Sequence, residues 1–132
     1  MIEPAKIQVR FADCDMMGHV NNAVYLSYFE QARLHYFEKM AGNEWDFQKQ
    51  GMILVKNEIE YIKPVFLHDK PEIFIHLVEI GTKSFTLGYK VMVGKELKTT
   101  GLSVLVCFDF HQNKSVSVYP EFVKAFSQLK EY

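Results

Sequence analysis

The stretch from Ala23 to Met40 constrains this chain more than any other, because it contains neither Gly nor Pro and is dense in apolar side chains. Two asparagines, Asn21 and Asn22, stand immediately before it and make good N-caps, and Gly42 stands just past it as a C-terminal stop. The pattern predicts one long helix. Val24, Tyr25, Leu26, Phe29, Leu34 and Phe37 fall around most of its circumference, and a helix that is apolar nearly all round must be buried. Glu30 and Arg33, three apart on that helix, are expected to satisfy each other. The rest of the chain has to supply the cover.

That cover reads as strands. Residues 6–12 place Ile7, Val9 and Phe11 opposite Gln8 and Arg10, the period of two expected of a half-buried strand. Residues 45–51 look irregular. Val55, Asn57, Ile59 and Tyr61 then alternate with Lys56, Glu58 and Glu60 until Pro64 closes a second strand. Residues 71–80 form a third strand and residues 85–93 a fourth, with Gly94-Lys95 as a turn. Leu102, Val104, Val106, Phe108 and Phe110 share one face of a fifth. Pro120, Phe122, Val123, Phe126 and Leu129 predict a short amphipathic C-terminal helix. Short connections imply antiparallel neighbours. The expected architecture is α+β, a curved antiparallel sheet of about five strands wrapped around a long central helix, with residues 1–132 in a single domain. Apolar residues on the outward sheet face, such as Leu105 and Met92, would favour a partner subunit.

Charge narrows the partners. Fifteen Lys plus Arg against sixteen Asp plus Glu leave a net charge of −1, which gives no sequence-wide reason to bind nucleic acid or a membrane surface. Two cysteines, Cys14 and Cys107, make no disulfide framework, and the five histidines show no ligand spacing, so no metal site is expected. The N-terminal residues lack a basic stretch followed by an apolar core, and no apolar run approaches the length of a membrane span. A cytoplasmic, reducing location is the expectation. The aromatic content, 14%, suits a thick core, a buried subunit interface or an apolar ligand pocket, and composition does not choose among them.

Chemistry concentrates in the polar segment from Asp13 to Asn22. A helix start carries unpaired N–H groups and the positive end of the helix dipole, both suited to stabilising a developing oxyanion. Asp15 can present a carboxylate beside it as base or nucleophile, a pairing that fits acyl transfer. Asp15 is equally a turn-former, and Asn21 or Asn22 an N-cap. Cys14 is a competing nucleophile with His19 or His35 as base, but its place between two aspartates raises its pKa. Tyr61, Phe29, Phe37, Phe47 and Met52 can shape a pocket, although apolar residues at this spacing are more often core.

The run Arg10-Phe11-Ala12-Asp13-Cys14-Asp15-Met16-Met17-Gly18-His19-Val20-Asn21-Asn22-Ala23-Val24-Tyr25-Leu26, continuing through Tyr28-Phe29-Glu30-Gln31-Ala32-Arg33, resembles the opening of hotdog-fold acyl-CoA thioesterases of the 4-hydroxybenzoyl-CoA thioesterase type. Ile59-Glu60-Tyr61-Ile62-Lys63-Pro64 with Asp69 resembles the family's second strand and the turn after it, and Lys83-Ser84-Phe85 the start of its fourth. The resemblance spans roughly residues 4–125. It implies that Asp15 is the catalytic carboxylate, that Asp13 is structural, and that the backbone N–H of Asn22 polarises the thioester carbonyl. By the same resemblance His19, Asn21 and Tyr25 belong to the substrate site, and Lys83 and Ser84 meet the phosphates of coenzyme A. His19 can instead pack in the turn, and Tyr25 in the core.

The form His19-Val20-Asn21-Asn22 departs from the 4-hydroxybenzoyl-CoA enzyme and stands closer to general acyl-CoA and acyl-ACP branches. The function implied is hydrolysis of an acyl-CoA to free acid and coenzyme A. No cofactor is expected beyond the coenzyme A of the substrate itself. The implied assembly is a homo-oligomer, a dimer or a tetramer of two dimers. The alternatives are an acyl-ACP thioesterase, which calls for a basic docking surface, and a non-catalytic acyl-CoA binding protein of the same fold.

Overall fold

The computed structural model describes residues 1–129, and its main elements follow in chain order. They are β1 (Ala5–Lys6), α1 (Val24–Ala41), β2 (Gln50–Tyr61), β3 (Glu72–Ile80), β4 (Ser84–Val93), β5 (Glu96–Asp109), β6 (Lys114–Ser115) and α2 (Pro120–Ala125). The sheet order is β1-β3-β4-β5-β2, antiparallel throughout, with β6 pairing the end of β5. This is the α+β architecture expected from the sequence, a curved sheet carrying a long helix on its concave face.

The helix is anchored by a face of large side chains. Tyr25, Tyr28, Phe29, Ala32, Tyr36 and Phe37 are buried at the helical repeat. Phe29 stacks on Tyr89 of β4, with ring centroids 4.1 Å apart and planes 2° from parallel. At the far end Phe47 and Phe122 of α2 pack on Phe37, and Trp45 packs on Phe122 in turn. Gly42 ends the helix at φ 80°, as the sequence predicts.

Several sequence expectations are corrected. Short connections do not make every consecutive pair of strands neighbours, because β2 pairs with β5 and not with β3. The first strand is only Ala5–Lys6, and Phe11 is exposed within a 3₁₀ turn. The cause is local: the Arg10 N–H donates to Asp13 Oδ2 and the Asp13 N–H to the Arg10 carbonyl, which bends the chain off the sheet. The second strand starts at Gln50 instead of Val55, since Gly51 and Met52 pair with Phe108 and Cys107. Helix α1 is not covered all round, because Leu26 and Leu34 lie on an open face. Arg33 does not pair with Glu30; it is buried and donates to the Tyr89 hydroxyl at 3.0 Å, while Glu30 is exposed.

The fifth strand inverts a simple reading of its pattern. Leu105, expected on the outward face, is 4% exposed and points at the helix, along with Thr99, Ser103 and Cys107. The large apolar residues Leu102, Val104 and Val106 are the outward set, only half-buried. The reason is volume. The helix already fills the interior with rings, and a Cβ at Gly101 would sit 2.6 Å from the Phe29 ring, so Thr99, Gly101, Ser103 and Cys107 on the face toward it are small.

Candidate active site

The segment after the 3₁₀ turn closes into a tight hairpin. Cys14 bridges Val20, the Asp15 N–H donates to the His19 carbonyl at 2.8 Å, and the Gly18 N–H to the Asp15 carbonyl at 3.1 Å. Gly18 takes φ 76°, a conformation that suits glycine. Within this hairpin Asp15 Oδ1 accepts the N–H of Met17 at 2.9 Å and of His19 at 3.2 Å. Its Oδ2 has no protein partner among the described residues. One oxygen thus fixes the carboxylate, and the other is available for chemistry.

The chain then enters α1. Asn21 donates its N–H to the Asp13 carbonyl at 2.8 Å, and its Oδ1 accepts the Ala23 N–H at 3.0 Å. Asn21 thus closes the lead-in turn, but neither asparagine is the N-cap expected from the sequence: Ala23 holds that position and offers no side-chain cap. The Asn22 N–H, in the turn that leads into α1, has no protein acceptor among the described residues.

Asp13 lies beneath this loop, 4% exposed, and accepts from the Arg10 amide, the Tyr28 hydroxyl and the Arg10 guanidinium. Burial alone would raise its carboxyl, but these donors together hold it below its ordinary value. The Tyr28 hydroxyl is pushed up by burial and by that same bond. Asp13 is a fixed structural anion. The Cys14 thiol is pushed up by burial and then by Asp13 and Asp15, which disfavours a thiolate there.

Asp15, His19, Asn21, Asn22 and Tyr25 all line one cleft of about 330 Å³. Five of the seven side chains singled out from the sequence therefore come together. The His19 ring stands edge-on to Phe66 at 5.0 Å, so it packs as well as lines the cleft. Tyr25 is 2% exposed and forms the floor, against Tyr61 and Tyr28.

Lys83 and Ser84 do not line this cleft. Ser84 opens β4, whereas Val91 of that strand faces Thr99, the partner of Tyr61 at the cleft. Seven residues of strand separate them, roughly 23 Å. The cation that does line the cleft is Lys63, whose Nζ lies 3.1 Å from Glu96, itself paired to Lys98.

The sequence under-weighted Tyr61 and Lys63. Tyr61 reads as an inward strand position, yet it sits at the strand's last residue, 45% exposed on the cleft wall. The signal that could have found both is their place immediately before Pro64, where a strand stops and side chains reach its end. Among the described residues no group of three or more His, Cys, Asp or Glu is placed to hold a metal ion. No helix there is long and apolar enough to cross a membrane.

YsmA of Bacillus subtilis strain 168, a protein named as uncharacterized, is 33% identical over 117 residues, covering 85% of this chain and 76% of its own. A protein of Escherichia coli K12 named long-chain acyl-CoA thioesterase FadM is 28% identical, covering 94% of this chain and 96% of its own. A thioesterase from Thermus thermophilus, solved with coenzyme A and Zn, superposes with a TM-score of 0.82 at 28% identity, covering 94% of this chain and 90% of that one. The family described as the thioesterase-like superfamily matches residues 9–126. With that match over most of its length and the curved sheet around α1, the chain belongs to the thioesterase-like superfamily of hotdog folds.

Proposed function

We propose that this protein hydrolyses an aliphatic acyl-CoA to the free acid and coenzyme A, using Asp15 as general base or nucleophile and the Asn22 N–H as oxyanion donor. At family level the chain is a thioester hydrolase, a reading supported by relatives named as acyl-CoA thioesterases. The observation that carries the finer reading is the convergence on one cleft of a carboxylate and of an N–H in the turn before α1, the second carboxylate oxygen and the N–H both without a protein partner among the described residues. The choice of an aliphatic over a 4-hydroxybenzoyl group draws on the relative named for long-chain acyl-CoA and on the sequence His19-Val20-Asn21-Asn22.

In the general-base route, Asp15 takes a proton from water as the water oxygen bonds to the thioester carbon. The carbonyl oxygen gains the electron pair and is stabilised by the Asn22 N–H and the positive end of α1. The pair then returns, the C–S bond breaks, and the thiolate of coenzyme A recovers a proton from Asp15. In the nucleophilic route the Asp15 oxygen itself attacks, thiolate leaves, and water hydrolyses the mixed anhydride.

The working unit is proposed to be a homo-oligomer, with a second copy covering the open face of α1 and the unpaired edge of β2. Leu26 and Leu34 of α1 and Ile53, Leu54 and Val55 of β2 are large apolar side chains left exposed there. In such an assembly Lys83 and Ser84 meet coenzyme A from another protomer. The test is thiol release from short, long and aromatic acyl-CoAs by wild type and by Asp15→Asn. Asn keeps the Oδ1 acceptor that holds the hairpin, so activity should collapse while the fold persists. Equal activity in the variant, or no activity in wild type, refutes the reading.

A further inference from the structure

The carbonyl of Asn22 lies just outside α1, whose N-cap is Ala23, and accepts no backbone N–H among the described residues; the Leu26 N–H bonds the Ala23 carbonyl at 3.3 Å. Its donor is a side chain from across the cleft: the Tyr61 hydroxyl donates to the Asn22 oxygen at 2.8 Å. Tyr61 is the last residue of β2, and its ring stands edge-on to Tyr25 at 5.1 Å, so the hydroxyl is delivered by two rigid elements.

The peptide between Asn22 and Ala23 is therefore gripped at both ends, its oxygen by Tyr61 and its N–H by Asn21 Oδ1. The preceding peptide is held through the Asn21 oxygen, which accepts the Val24 N–H at 3.0 Å. Because a trans peptide is planar, holding these two units fixes the direction in which the Asn22 N–H points. We propose that Tyr61 is a positioning residue for the oxyanion donor, acting through the Asn22–Ala23 peptide without itself contacting the reacting atoms. Burial raises the Tyr61 hydroxyl above its ordinary pKa, so it remains a donor throughout the neutral range.

The inference rests on the acyl-CoA thioesterase reading, and the experiment separates the two. Tyr61→Phe removes one oxygen and keeps the ring against Tyr25. On the best acyl-CoA of the panel, kcat should fall about tenfold with KM nearly unchanged, because misaiming a donor weakens the transition state and leaves substrate binding alone. Amide hydrogen exchange supplies a readout that needs no substrate: Ala23 should exchange at least about fivefold faster in the variant, with mid-helix amides unaffected.

A tenfold loss carried by KM, an unchanged kcat, or an unchanged Ala23 exchange rate in an active protein overturns the role of Tyr61 alone. A wild type that releases no thiol from any acyl-CoA overturns the thioesterase reading and this role with it.

Discussion

The Tyr28 hydroxyl of helix α1 donates to Asp13 Oδ2 at 2.7 Å, tying the helix to the loop that carries Asp15. Because the bonded carboxyl is held below its ordinary value, the folded protein takes up that proton less readily than the unfolded chain. The sign follows: the stabilisation is complete above an ordinary carboxylate pKa of about 3.9 and is lost as pH falls through the lower folded value. Tyr28→Phe should cost about 1–3 kcal/mol at pH 7, since a buried carboxylate loses a donor. Urea unfolding at pH 7 and at pH 3 should show that difference shrinking in acid.

Asn22 is predicted to work through its backbone. Asn22→Ala should retain activity within about threefold, whereas Asn22→Pro, which removes the N–H, should lower kcat about 100- to 1,000-fold. Asn22 precedes the first residue of α1, so proline there removes no intrahelical hydrogen bond, and circular dichroism should show α1 intact in both. An active proline variant would remove Asn22 from the mechanism.

Gly101 is predicted to be sterically required. A methyl there meets the Phe29 ring at 2.6 Å and the Glu58 carbonyl at 3.0 Å. Gly101→Ala should destabilise by about 1–3 kcal/mol through overpacking, and adding Phe29→Leu should recover part of the lost melting temperature. Recovery would be absent if the backbone contact dominates.

His76 on β3 faces Gly88 of β4, and burial together with Lys90 holds its imidazole below the ordinary value. The unfolded chain therefore binds that proton first, and stability should decline as pH drops below about 6.5. Melting temperatures between pH 7.5 and 5 should fall more steeply for wild type than for His76→Gln.

The long helix and the alternating strands were legible because period 3.6 and period 2 are strong signals that Gly and Pro punctuate cleanly, whereas the pairing of β2 with β5 instead of β3 joins distant stretches of chain and has no local signal. The first site motif was legible for a different reason: Asp13, Asp15, Gly18 and Asn21 each do a local job that sequence distance fixes. Leu105 was misplaced because strand alternation says which residues share a face and leaves open which face is inside; that depends on ring volume in α1. Arg33 went to Tyr89 across 56 positions of chain, a contact that no local spacing encodes. Tyr61 was named as a pocket candidate, but its bond to Asn22 was hidden likewise, since the two lie 39 positions apart.

Strand β2 occupies the end of the sheet order and terminates in the residue that grips the Asn22 peptide. In the proposed assembly, a neighbour joined along that edge stiffens the same strand whose tip aims the donor. Assembly and turnover then become thermodynamically linked, and protein concentration itself acts as an activator: specific activity should decline on dilution below the point where protomers separate.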